Sequence, residues 1–338
     1  MIDLSPWLGA VPEAVVERLS AARRVLAVGH ENPDADTIGS TLAVCRLVER
    51  AGGRATPVFT DPVPPLYDFL PGVNVARTDP EEGVDYELLV VSDCGTLDRI
   101  GAVRGRHPEL FDRLPRIVLD HHASNGSTGE ADWIDPEAAA TCEMTALLGV
   151  RLGESLDMDG GALATLLRAG IVMDTATFAH PNATPRTLAV SAALVEAGAP
   201  LSDISRRLYR TKPDSQLRLF GRVLDRMETA AGGRIVYSSM LDADLAATGS
   251  IAAHSEGIID LLAQSEAADV AILFKEAVDG TRISVRTKPD GVDATVLTGA
   301  FGGGGHARAA GATFPGPLAE ARTAVLAEAE RLVSALVR

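Results

Sequence analysis

Four short stretches of the chain gather carboxylates and imidazoles that would be costly to bury without a partner. The first, GHENPDADTIGS, sets His30, Asp34 and Asp36 in one loop. Small or rigid residues separate them, so three donors can turn inward together. Gly39 and Ser40 then open a helix whose first amides favour anions. Asp34, Asp36 and Gly39 would also fit a calcium-binding loop, but Ile38 and Cys45 stand where further oxygen ligands belong. By itself the loop reads equally well as a helix cap with solvated aspartates. The second stretch, VVSDCGTLDRIG, ends an apolar run on Asp93, a place where a lone aspartate commonly caps a turn. The third, VLDHHASN, puts Asp120, His121 and His122 behind another apolar run. Alternation along an extended chain would send His121 to one side and its neighbours to the other. One imidazole can then ligate a cation while Asp120 fixes ring orientation. In the fourth, AGIVMDTATF, Asp174 closes an apolar helical run, either as a cap or facing cations. Taken together, the four clusters point to a divalent-metal site.

The elements that must position these groups alternate. RRVLAVGH (23–30), YELLVVSD (86–93) and RIVLDHH (116–122) are short continuous apolar runs, as expected for parallel strands covered on both faces. TIGSTLAVCRLVERAGG reads as a helix stopped by a glycine pair. Residues 138 to about 224 carry mostly helical patterns. Beyond the glycines at 232 and 233, new strands are expected in RIVYSSM, DVAILFKEA and TRISVRT, the last two joined as a hairpin through VDG. An Ala/Glu/Arg-rich helix closes the chain. This predicts a parallel α/β domain at 1–185, a helical connector at 186–230 and a smaller mixed α/β domain at 231–338. In open parallel sheets, ligands sit beyond the carboxyl ends of the strands, where three of the four clusters fall.

Composition narrows the function. With 46% hydrophobic residues in 338, the chain can build sizeable cores. A formal net charge of -15 argues against holding long duplex nucleic acid, which depends on many Lys and Arg contacts. It leaves room for a short phosphorylated ligand in one local site. No apolar run approaches the roughly 20 residues of a membrane span, and no secretory leader pattern is evident at the start. Cys45, Cys94 and Cys142 are scattered, without CxxC spacing, as in a reduced compartment. A cytoplasmic protein is expected.

The ordered set His-x-x-x-Asp-x-Asp, strand-end Asp, Asp-His-His and helix Asp resembles the DHH phosphoesterases. GAFGGGGHARAAGATF (299–314), with SVRTK upstream, looks like the DHHA1 domain that accompanies them. Within the family the chain is similar to the NrnA-type branch, stand-alone oligoribonucleases and phosphatases of 3'-phosphoadenosine-5'-phosphate. The larger RecJ-type exonucleases carry an added nucleic-acid-binding domain. Family II pyrophosphatases end in a different Lys/Arg-rich motif.

The resemblance implies two divalent cations and an active site in the cleft between the domains. Mn²⁺ suits oxygen-rich ligands with two imidazoles better than zinc, with Mg²⁺ or Co²⁺ as alternatives. His30, Asp34 and Asp93 would hold one ion. Asp36, Asp93, His121 and Asp174 would hold the other, with Asp93 bridging. Asp93 would position the attacking water, and His122, supported by Asp120, would face the scissile phosphate. Arg286, His306 and the amides of Gly302, Gly303, Gly304 and Gly305 would hold the far end of the substrate. That substrate would be short single-stranded RNA or a small nucleotide. The alternatives are a cyclic or linear dinucleotide, or a nucleotide bound without turnover. A homodimer is an open assembly. Many relatives carry an arginine after the position of Phe178, whereas this chain has Ala179 and His180.

Overall fold

The computed structural model describes residues 2–336 apart from Thr128, Glu130, Asp279 and Asp290. The chain divides into two compact units, Met1–Thr211 and Lys212–Arg338.

The first unit opens with α1 (Glu13–Ala21), β1 (Arg24–Val28), α2 (Ala35–Arg50) and β2 (Arg54–Val58). It continues through β3 (Leu88–Ser92), α3 (Ala102–Arg106), α4 (Pro108–Arg113), β4 (Arg116–Asp120) and β5 (Trp133–Ile134). Helices α5 (Thr141–Arg151), α6 (Met158–Asp174), α7 (Pro185–Glu196) and α8 (Leu201–Ser205) complete it. All strand pairs are parallel, in the order β2-β1-β3-β4-β5.

The apolar strand runs have a simple cause. Val25, Leu88, Val90, Ile117 and Leu119 pack into the core shared with α1, α2, α5 and α6. Leu26, Val28, Leu89, Val91 and Val118 point to the other face, against Ile100, Val103 and Phe111. A strand buried on both sides has no polar face, so period-two alternation disappears. The expected strands at 23–30, 86–93 and 116–122 are therefore β1, β3 and β4. The sequence reading missed β2, whose RATPV carries a proline, and β5, which has only two residues. Proline is tolerated in β2 because the strand is an edge.

The second unit runs α9 (Asp214–Asp225), β6 (Glu228–Ala230), β7 (Ile235–Met240), α10 (Asp242–Thr248) and α11 (Ile258–Leu262). It ends with β8 (Val270–Ala277), β9 (Gly280–Thr287), α12 (Ala294–Gly299), β10 (Gly304–His306), β11 (Ala309–Phe314) and α13 (Leu318–Ala335). Its sheet, ordered β10-β11-β9-β8-β7-β6, is antiparallel except for β7 and β8. Ile272, Phe274, Ile283 and Val285 face α13; Ala271 and Leu273 face α9 and α11. The expected hairpin is β8–β9, with Asp279 of its turn outside the described residues.

The stretch 186–230 forms no body of its own. Val190 and Leu194 of α7 and Ile204 of α8 sit in the first unit's core, while Leu219, Phe220 and Val223 of α9 sit in the second's. Helices α7 and α8 bury their apolar residues against α5 and α6, and α9 against its own unit's sheet, which leaves nothing to make a separate connector. No single helix among the described residues is long and apolar enough to cross a membrane.

Helices α2, α5 and α6 meet closely enough to require glycine. A Cβ at Gly39 would lie 2.6 Å from the Leu166 carbonyl oxygen and 2.8 Å from Cys142 Sγ. At Gly170 it would lie 2.4 Å from both Asp36 Oδ1 and Cys142 Sγ. Gly170→Ala must therefore move Asp36 or separate α6 from α5. It is expected to cost about 1–3 kcal/mol in chemical denaturation and to weaken Mn²⁺ binding measured by calorimetry. Unchanged metal affinity would show that Asp36 does not need this packing.

Candidate metal centre

The strand order reverses direction between β1 and β3, and ligands of open α/β sheets gather at such a point. His30 follows β1 and Asp93 follows β3, and His30 Nε2 stands 3.5 Å from Asp93 Oδ2. Asp34 caps α2, accepting from the amides of Asp36 and Thr37, with its other oxygen 4.0 Å from His30 Nε2. Asp36 lies in the first turn of α2, fully buried. From β4 come Asp120, His121 and His122. His121 Nε2 is 3.6 Å from Asp93 Oδ1 and 3.1 Å from Asp174 Oδ2. Asp174 ends α6, where the helix dipole disfavours an anion, so its place there needs a cation.

Three groups have ligand atoms close enough for one ion each: His30, Asp34 and Asp93; Asp36, His121 and Asp174; and Asp93, His121 and His122. Asp93 belongs to two of them. All six residues expected as ligands come together, with His122 added. The expected alternation at 121–122 does not hold. Strand β4 stops at Asp120, the chain turns, and both imidazoles approach Asp93 Oδ1 to 3.6 Å.

Each donor is held from behind. Carbonyl oxygens can only accept, so His30 Nδ1 donates to Glu31 O at 2.6 Å and His121 Nδ1 donates to Ala138 O at 3.3 Å. Both leave Nε2 toward the carboxylates. Asp120 Oδ1 takes His122 Nδ1 at 2.7 Å, and Asn125 donates to Asp120 Oδ2. Asp93 adopts a positive φ of 58°, a strained backbone for a non-glycine residue. Thr37 donates to its Oδ2 at 2.6 Å and Thr141 to its Oδ1 at 3.2 Å. The first amides of α5, Thr141 and Cys142, donate to the two oxygens of Asp36 at 2.7 and 2.8 Å.

The charges explain what the pocket is suited to hold. Burial and neighbouring carboxylates raise Asp34 and push Asp36 well above its ordinary value. Burial pushes Asp174 up to about 7. Asp93 goes the other way: burial opposes ionisation, but the hydrogen bond and charge of His30, with His121 and His122, hold it down to about 2. Burial also opposes a proton on His121, yet Asp174, Asp36 and Asp93 push it up to about 10. A pocket this crowded with acid, three imidazoles among it, fits two dications well. Cys94 and Cys142 lie beside it, but burial keeps both thiols far from ionising, so the donor set is oxygen and nitrogen. The site grades from closed to open: the side chains of His30 and Asp93 are 5% and 3% exposed, those of His122 and Asp174 19% and 17%.

Sequence reasoning missed the groups behind the ligands. Thr37 and Thr141 show no pattern that marks them. Arg186, Glu143 and Asp135 left a clue: Glu143 sits inside an apolar helix, where it is 0% exposed. Arg186 donates to Glu143 Oε1 and Asp135 Oδ2, clamping the 135–143 loop that supplies the Ala138 carbonyl. Past Asp174, Ala176, Thr177 and Phe178 all have positive φ. Phe178 lies over the guanidinium of Arg168, at 5.2 Å, and His180 Nδ1 donates to the Asp174 carbonyl. His180 thus anchors the backbone of Asp174.

In the second unit, Arg286 pairs with Asp260 at 2.9 Å. The glycine run is more ordered than a loop. Gly304–His306 is edge strand β10, paired with β11. A Cβ on Gly303 would lie 2.2 Å from the Gly311 carbonyl oxygen, and one on Gly305 2.6 Å from that of Ala309. Close backbone packing therefore requires glycine there, whatever else it binds.

Removing the clamp on the 135–143 loop should be costly. Arg186→Met leaves Glu143 buried without its cation, and is expected to lose about 3–5 kcal/mol in urea denaturation. A loss under about 1 kcal/mol would mean that the pair contributes little.

The DHH family, N-terminal domain, matches residues 24–171, and the DHHA1 domain matches residues 232–335. The chain is 32% identical over 287 residues to the bifunctional oligoribonuclease and PAP phosphatase NrnA of Thermus thermophilus, covering 85% of this chain and 83% of that one. To the protein of the same name from Bacillus subtilis it is 24% identical, over 89% and 92% of the two chains. An exopolyphosphatase-related protein from Bacteroides fragilis has the same fold, with a TM-score of 0.87 at 21% identity over 97% and 98% of the chains. The chain belongs to the DHH/DHHA1 phosphoesterase family.

Proposed function

We propose that the protein is a two-metal phosphohydrolase that degrades short single-stranded oligoribonucleotides to mononucleotides and dephosphorylates 3'-phosphoadenosine-5'-phosphate to AMP. The observation that carries this reading is Asp93 at the sheet's switch point, grouped with His30 and Asp34 and 3.6 Å from His121 of the group completed by Asp36 and Asp174. The relatives whose names state both activities are similar to the chain over most of its length.

His30, Asp34 and Asp93 would hold one divalent ion; Asp36, Asp93, His121 and Asp174 would hold the second, with Mn²⁺ the best match to such donors. Bound there, divalent ions supply charge neutralisation at the phosphate and a water nucleophile at neutral pH. The protein's own groups do the positioning. Thr37 and Thr141 fix the Asp93 carboxylate by both oxygens, which aims it without using its remaining lone pairs. The carbonyls of Glu31 and Ala138 set the tautomers of His30 and His121. His122 lies at the open end of the site with Nδ1 taken by Asp120. It presents its other nitrogen to a phosphate oxygen, where charge develops in the transition state. Arg286, His306 and the backbone of Gly302–Gly305 hold the substrate's far end. For Arg286 this competes with Asp260.

The experiment is a metal-stripped protein offered di- and trinucleotides, 3'-phosphoadenosine-5'-phosphate and cyclic dinucleotides, with and without Mn²⁺, followed by chromatography. Mononucleotides and AMP should appear only with metal. Asp93→Asn should lower turnover on the order of a thousandfold. Turnover that survives Asp93→Asn, or persists without metal, contradicts the reading. Thr37→Val keeps every ligand but frees Asp93 Oδ2, and should lower metal affinity about 10–100-fold. An unchanged affinity would show that the threonine does not orient the carboxylate.

A further inference from the structure

The antiparallel register of β8 and β9 sets Lys275 directly opposite Arg282. Like charges in that relation destabilise a ladder unless something bridges them. Ser284 and Arg286 follow Arg282 on the same face of β9, since residues two apart share a face. Arg286 is relieved by Asp260. Lys275 and Arg282 are less relieved: among the described residues no carboxylate forms a close ion pair with either, and Glu256 acts on Lys275 only through its charge. The Lys275 ammonium is half-buried, and its one hydrogen bond among the described residues is with the Ser255 hydroxyl at 3.4 Å. Burial, with Arg282 beside it, holds its pKa below the ordinary lysine value, although Glu256 acts slightly in the other direction.

A pocket of about 510 Å³ opens at this pair, lined by Lys275, Arg282, Ser284, Thr313, Gly302 and Gly303 among others. Two cations, two hydroxyls and a glycine backbone that brings main-chain groups to the wall make a cradle for a compact dianion. A phosphate monoester carries two charges and three terminal oxygens, and matches it better than a single carboxylate. The Lys275 and Arg282 side chains lie outside the glycine run, and no motif marks them.

We propose that this pocket binds a terminal phosphate monoester, so that Lys275 and Arg282 select nucleotide substrates bearing an additional end phosphate. The identity of the substrate rests on the phosphohydrolase reading; the anion site does not. It also accounts for the like-charge pair, which a bound dianion would bridge.

The test is a calorimetric titration of the full chain in EDTA, so that turnover stops. The ligands are diadenylate with a 5'-phosphate, diadenylate with a 3'-phosphate and diadenylate with neither. At least one phosphorylated form should bind about tenfold tighter than the bare dinucleotide. Lys275→Gln with Arg282→Gln should erase that advantage and leave binding of the bare dinucleotide unchanged. Lys275→Arg should retain it. The double variant should also melt no lower than the parent, because a repulsion has been removed. Equal affinity for all three ligands, or an advantage that survives the double substitution, overturns the proposal. A parallel assay in Mn²⁺ separates the two ideas. Absence of turnover by the parent on every dinucleotide contradicts the hydrolase reading, while the titration in EDTA still decides the anion site.

Discussion

The first unit is organised around a repulsion. Asp34, Asp36, Asp93 and Asp174 are brought to the carboxyl edge of one sheet, in a place where burial alone makes an ionised carboxylate costly. Three imidazoles offset part of that charge, and only Asp93 is held firmly ionised by them. Everything nearby restrains these groups from relaxing apart: the cap of α2, the first amides of α5, the strained φ of Asp93, and glycines that let three helices press against Asp36. A scaffold that invests so much hydrogen bonding in keeping acids together is shaped for cations.

The logic of the site is a division between reach and aim. The proposed ligands sit at the ends of β1, β3, β4, α2 and α6, which gives them reach into a common volume. Aim comes from neutral partners such as Thr37, Thr141 and the carbonyls of Glu31 and Ala138, which add no charge to a crowded pocket. The charged clamp of Arg186 on Glu143 and Asp135 is placed one layer further out, where it fixes the loop behind His121 without competing for an ion.

Much of this was legible in the sequence, for physical reasons that can be named. Strands buried on both faces write continuous apolar runs, so β1, β3 and β4 and the residues that end them stood out. Costly residues after such runs had few structural explanations, which marked His30, Asp93 and Asp120–His122. Groups that act through one neutral hydrogen bond left no trace, because Thr37 and Thr141 look like any residue of a helix start. The turn after β4 defeated the alternation rule at His121 and His122, since the strand ends two residues earlier than the pattern implies. In the second unit the glycine run read as a substrate contact, and the structure adds that close pairing of β10 with β11 demands glycine at 303 and 305 by itself. The Lys275–Arg282 pair became visible only through the register of β8 and β9.

The central claim is that Asp93 is shared by two divalent ions. Crystals grown with Mn²⁺ and measured at the manganese absorption edge test it most directly. The account predicts two anomalous peaks per chain about 3.5–4 Å apart, both within coordination distance of Asp93. One should contact His30 and Asp34, and the other Asp36, His121 and Asp174. A single peak, or two peaks of which only one touches Asp93, would contradict it.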